Sequence, residues 1–212
     1  MDTPFLELDP SVVDRYVSIR SFREKAAFQL GGLGRPKLIH AGDWDRRGGA
    51  IEDHPVYRLM AGLYQQPDPE RGLAVVEAYF RARGMGASAA REKRERKGEK
   101  VREQYVRLLA RMAEEGYRPG AARDEVGVAI GRDGAVLKAP GGQHRFAAAR
   151  VLGLPCVLAE VRYVHWNWYR DCRDPGLREC IIKRLFGGQR PCSLTGATNQ
   201  LGISSATPSA RR

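Results

Sequence analysis

The stretch EVGVAIGRDGAVLKAPGGQHRFAAARVLGLPCVLAEVRYV, residues 125–164, decides the fold. Two short β-rich runs flank Gly131-Arg132-Asp133-Gly134, and an Asp-Gly pair between such runs is a hairpin signal. Pro140-Gly141-Gly142 breaks the strand pattern, and about His144 to Leu152 reads as a helix ended by Gly153. Beyond Pro155, the residues Val157, Ala159, Val161 and Tyr163 alternate with more polar partners, which is the period of a strand. The order is strand, turn, strand, glycine loop, helix, strand.

Working outward, Val101, Tyr105, Leu108, Leu109 and Met112 share one face of a helix over 100–115 that Gly116 terminates. The spacing predicts further helices over 56–66 and 70–83, with a turn at Gln66-Pro67-Asp68-Pro69. KLIHAGDWD (37–45) reads as a short strand entering a turn. Asp9-Pro10 is an N-cap followed by proline, so a helix or broken helix is expected to about Phe28. Asp174-Pro175 starts a short C-terminal helix that Gly187 ends, and the Ser/Thr/Gly/Ala-rich 189–212 has little to bury and is expected to be disordered. The expected organisation is a helical segment over 1–36, a core over 37–170 with a helical insertion at about 55–98, a helix over 171–188, and the tail.

Composition narrows the class. The chain has 212 residues, enough for a sizeable core, and no run approaches the 18–20 apolar residues of a membrane span. MDTPFLELDP lacks the basic and apolar regions of a signal peptide, so a cytoplasmic location and no membrane partner are expected. Cys156, Cys172, Cys180 and Cys192 form no CxxC pair, a spacing poor for zinc, and reduced thiols are expected. The formal charge of +11 favours anionic partners. Part of it lies in REKRERKGEKVRE (91–103), whose seven basic and four acidic residues read as a solvated helix face.

Three clusters could carry chemistry. In GGQHRFAAA, glycines precede a helix whose first N–H groups are unpaired and carry partial positive charge, an arrangement that attracts phosphate. Arg145 could grip phosphate oxygens with its fork and His144 could donate another hydrogen bond, although a plain glycine turn with exposed His and Arg would use the same residues. In AGDWDRRGG, Asp43 and Asp45 could hold Mg²⁺ or act as a base, or could simply cap the next element while Trp44 packs. In YVHWNWYRD, His165 and Arg170 lie in an aromatic-basic patch that could line a substrate pocket or form a packing edge.

Residues 125–165 resemble the ParB/sulfiredoxin superfamily, in which a DG hairpin leads to a GGxHR or GERR-type loop, an Ala-rich helix, a Gly and a strand. The resemblance implies an α+β fold with a small mixed sheet, surrounding helices and a loop that binds nucleotide phosphates. Gly141, Gly142, His144 and Arg145 match that loop, and Gln143 lies within it. In sulfiredoxins the catalytic cysteine occupies the position where Gln143 stands, so thiol chemistry is not expected. Too few residues follow Val164 for the helix-turn-helix domain of chromosome-partitioning members. The expectation is a protein binding ATP or another nucleotide, with Mg²⁺-dependent phosphoryl transfer or nucleotide hydrolysis, Asp43 or Asp45 as metal ligand or base, and an unknown small-molecule acceptor. A DNA- or RNA-binding module without catalysis is the alternative, and an inactive scaffold a third.

Overall fold

The computed structural model describes residues 4–18, 22–34, 37–66, 68–172, 176–187 and 192. Within them the chain is a mixed α+β structure, with seven α-helices and a seven-stranded sheet that is both parallel and antiparallel. The strands are β1 (Phe5–Leu8), β2 (Arg15–Val17), β3 (Ile39–His40), β4 (Gly48–Ala50), β5 (Val126–Ile130), β6 (Val136–Lys138) and β7 (Val157–His165). The helices are α1 (Phe22–Gly31), α2 (Pro55–Gln65), α3 (Pro69–Ala82), α4 (Ala87–Glu115), α5 (Gln143–Val151), α6 (Trp166–Arg170) and α7 (Leu177–Phe186).

The hairpin β5–β6 and the unit β5-β6-α5-β7 form where the sequence places them. β5 pairs antiparallel with β6 and parallel with β7, and Gly153 ends the α5 turn with φ +65°. The sheet runs β1-β7-β5-β6-β2-β4, with β3 also pairing the end of β7. Val126, Val128 and Ile130 of β5 are fully buried against one face, where Phe146 and Ala147–Ala149 of α5 join helices α2 to α4 in the main core. The three alanines let α5 lie close to the strands, and filling that space with larger side chains would force the layers apart. Ala129 and Leu137 point to the opposite face, where Val17, Trp44, Phe28 and Tyr163 make a smaller cluster.

A β-bulge divides β7. Val128 pairs with Val161 but Ala129 with Tyr163, so Arg162 is the extra residue. Bulges re-aim side chains and interrupt the two-residue period. Val157, Ala159 and Val161 therefore face the main core and Val164 rejoins it, whereas Tyr163, expected in the same alternating series, joins the smaller cluster.

Three expectations are corrected. Residues 1–36 are not a helical segment. Asp9 caps only a 3-10 turn at Pro10–Val12, accepting from the Ser11 N–H at 2.7 Å, and α1 begins at Phe22. β1 and β2 are recruited by the sheet, β1 along β7 and β2 between β6 and β4, and there Leu6 and Leu8 of β1 and Val17 of β2 are buried. The short strand entering a turn over 37–45 forms as expected, with Ile39–His40 as the strand and Trp44–Arg46 as a 3-10 turn. The helix expected over 100–115 begins at Ala87 and takes in the charged run, with Gly116 at φ +71° ending it. The cysteines are paired, Cys156 with Cys192 and Cys172 with Cys180, because folding brings their Cα atoms to 5.7 and 6.0 Å, within disulfide range, which the absence of a CxxC pair does not preclude. Apart from Cys192, the expected tail lies outside the described residues, as does Asp174-Pro175. Among the described residues no helix is long and apolar enough to cross a membrane.

Candidate anion-binding cleft

α5 opens at a left-handed turn. Gly141 and Gly142 have φ +100° and +55°, and a Cβ on Gly142 would meet backbone atoms of Glu125 and Val126 at 2.7–2.8 Å. Only glycine combines that backbone with that proximity. The N-cap Gly142 offers no side chain to the helix, so the N–H groups of Gln143, His144 and Arg145 meet no acceptor among the described residues. That leaves the first turn as a cluster of unpaired donors at the positive end of the helix.

This turn opens into a cleft of about 1150 Å³ between α4, α5 and the loop 116–124. Gly142, Gln143, His144 and Arg145 line one side, so four of the five residues expected to hold phosphate meet at one cavity. The facing walls carry Lys100, Arg107 and Arg111 from α4 and Arg118 and Arg123 from the loop, against Glu115 and Asp124. Arg107 pairs with Glu103 and Arg118 with Glu115, whereas Lys100, Arg111 and Arg123 have no ion-pair partner among the described residues. The cleft is therefore strongly electropositive.

Arg145 does not project freely into it. Its guanidinium lies over the Tyr117 ring at 4.3 Å, donates to the Arg118 carbonyl at 2.6 Å and sits 3.2 Å from Glu125. Glu125 also takes the Tyr117 hydroxyl and, at 2.5 Å, the Gly120 N–H. Burial, aided by this bond to Glu125, pushes the Tyr117 hydroxyl well above the phenol range, so it stays a donor. Arg145 thus ties the start of α5 to the loop 116–124 at the edge of the cleft.

His144 stacks on Tyr105 with ring centres 4.6 Å apart, and its Nε2 is 2.9 Å from the Tyr105 hydroxyl. Burial, reinforced by the charge of Arg83, holds its imidazole below the usual range. A neutral ring accepting from Tyr105 at Nε2 keeps its proton on Nδ1 as a donor.

Asp43 and Asp45 lie elsewhere. Arg132, beyond the end of β5, donates to Asp45 through Nε and Nη2 at 2.9 and 2.7 Å and through its backbone N–H at 2.9 Å, and reaches Asp43 at 2.7 Å. Burial alone would raise the Asp45 carboxyl, but the bonds from Arg132 outweigh it and hold it below the usual carboxylate range. Gly141 and Gly142 sit at the other end of β5, where the Gly127 N–H donates to the Gly141 carbonyl at 3.2 Å. Five residue steps along the strand, roughly 16 Å, separate Gly127 from Arg132. The aspartates and the glycine loop do not converge.

His165 belongs to the Asp45 cluster. Its Nδ1 accepts from the Asn167 N–H, which leaves the Nε2 proton for the Gly42 carbonyl at 2.8 Å; Asp45, at 3.9 Å, is beyond hydrogen-bond reach. Arg170 is exposed beside Asp171, and Trp168 is buried, so 163–171 is a packing edge.

The cationic walls were hidden in the sequence. Lys100 was one member of a mixed-charge run, and Arg118 and Arg123 belong to a loop without periodicity. The available signal was the i, i+4, i+7, i+11 spacing of Lys100, Gln104, Arg107 and Arg111. Neither protein-family models, nor curated proteins, nor solved structures give a match to this chain.

Proposed function

We propose that the cleft binds a nucleotide through its phosphate groups, received by the N-terminal turn of α5. One observation carries this: an uncapped helix start opens into a cleft whose walls hold three cations that have no carboxylate partner among the described residues. The resemblance of residues 125–165 to the ParB/sulfiredoxin superfamily supports the same function, and a nucleotide such as ATP is the ligand proposed. The fit to Mg²⁺ is poor at the expected residues. Both oxygens of Asp45 are engaged by Arg132, Asp43 shares that guanidinium, and the pair is remote from the cleft. Binding is therefore the function proposed, and no phosphoryl-transfer step is derived through Asp43 or Asp45.

A thermal-shift titration with nucleotides, with and without Mg²⁺, tests this, since a ligand present at 100 times its Kd stabilises by about 2.7 kcal/mol. The melting temperature is expected to rise with nucleotide concentration. The double substitution Arg111→Glu/Arg123→Glu is expected to weaken binding at least tenfold while leaving the ligand-free melting temperature nearly unchanged. No shift with any nucleotide would overturn the proposal.

A nucleic-acid strand is a second candidate ligand, favoured by one further feature. Lys93, Lys97, Lys100, Arg107 and Arg111 fall along one ridge of α4, which carries the positive wall beyond the cleft over about 27 Å at 1.5 Å per residue. That ligand would show affinity falling steeply with salt.

A further inference from the structure

Beneath the glycine loop lies a lysine that the cleft does not expose. Lys138 ends β6 and is 3% exposed. Its Nζ donates to the carbonyls of Gly127 at 3.0 Å and Gly141 at 2.7 Å, and to that of Ala139. An ammonium has three N–H donors and a neutral amine two, so three converging carbonyls fit the charged form. Among the described residues no carboxylate lies within ion-pair distance of it. The charge of Arg162, the bulge residue of β7, acts on it, and Arg162 is itself tied to Glu160 at 2.7 Å. A Cβ on Gly141 would meet that guanidinium at 2.7–2.9 Å, so Arg162 also lies against the loop. From the other elements, Phe146 of α5 presents its ring at 5.6 Å, and Tyr16 is the register partner on β2. His144 is the titratable group at the mouth of α5. A buried cation thus lacks a counter-charge directly behind the turn that opens into the cleft.

We propose that Lys138 is a binding residue of this site acting through the loop: a phosphate-bearing anion at the N-terminus of α5 supplies its missing counter-charge, and binding draws a proton from solvent onto its amine. The inference rests on the proposed function of the cleft. The ammonium bonds the Gly141 carbonyl, one residue before the helix cap, and across a low-dielectric interior its charge is felt strongly at the first turn. Burial pushes the group down to about 7, with the charge of Arg162 adding to the shift, so the free protein near neutral pH holds a mixture of amine and ammonium. An anion favours the ammonium, and linkage then requires proton uptake on binding.

Calorimetry of ATP and pyrophosphate binding at pH 8, in two buffers of different ionisation enthalpy, measures that uptake. Wild-type protein is expected to take up a substantial fraction of a proton, with affinity falling by up to tenfold per pH unit above the midpoint. Lys138→Arg should bind with no uptake, Lys138→Met should bind about tenfold more weakly with none, and His144→Gln should retain it. A second measurement needs no variant: the Gly127 and Gly141 amide resonances of wild-type protein should titrate near pH 7 and move to higher pH with ATP. Binding without uptake, uptake unchanged in Lys138→Arg, or a midpoint that ATP does not move would overturn the role of Lys138 alone. Failure of ATP and pyrophosphate to bind at any pH would overturn it together with the function of the cleft.

Discussion

Arg145 lines the cleft while its guanidinium is held by groups of the chain itself. Position 145 follows the glycines, so a phosphate contact was the natural expectation, yet its guanidinium is taken by Arg118, Glu125 and the Tyr117 ring. Both members of the Arg145–Glu125 pair are largely buried, and removing one partner of such a pair leaves an uncompensated charge that costs about 3–5 kcal/mol. Arg145→Ala is expected to lower unfolding stability by roughly that amount in denaturant titrations, whether or not nucleotide is present. Gly142→Ala combines a left-handed backbone with contacts of 2.7–2.8 Å to Glu125 and Val126. It should destabilise by more than the ~1 kcal/mol of the backbone conformation alone, and nucleotide binding should fall with it. Asp45 gives a pH dependence of definite sign. Its folded-state pKa is depressed, so its contribution to stability is present above the ordinary carboxylate range and is lost as pH falls through the depressed value. Asp45→Asn should flatten the acid limb of a stability–pH curve, measured by denaturant unfolding.

At the scale of elements, α4 carries two roles on separate faces. Ala90, Gly98, Leu109 and Met112 are buried, and the apolar half of this pattern was legible because helical period and burial coincide there. Its charged run was legible as a helix face but not as a wall, because only the packing of α5 and the loop 116–124 turns that face into one side of a cavity. Substituting Lys97 by Glu, outside the cleft, separates the two candidate ligands. Mononucleotide binding should remain within twofold, whereas a bound strand would lose affinity and show a shallower dependence on salt. Titration of both probes at two ionic strengths measures this. The strand β7 teaches the opposite lesson about pattern: its alternation is readable up to Val161, and the bulge at Arg162 then reverses which residues face the core.

Across the whole molecule, one of the two disulfides ties together segments far apart in the chain. Cys156–Cys192 closes a loop of 36 residues, and the chain-entropy model assigns about 4 kcal/mol to a loop of that length. Reductant should therefore lower the denaturation midpoint measurably, and Cys156→Ala should reproduce most of the loss under oxidising conditions. The sheet is assembled on the same long-range terms, with β1 and β2 from the N-terminus placed along β7 and β6. By itself, the sequence determined the β5-β6-α5-β7 unit and the glycine turn, because hairpin chemistry, left-handed glycines and helical period act between near neighbours. Tertiary structure alone decided that β1 and β2 are strands, that the cysteines pair, and that Asp45 serves Arg132. It also set cations from α4 and the loop opposite the helix start and left Lys138 buried behind it. Those outcomes depend on burial and on charges brought together from distant parts of the chain, and no local spacing encodes either.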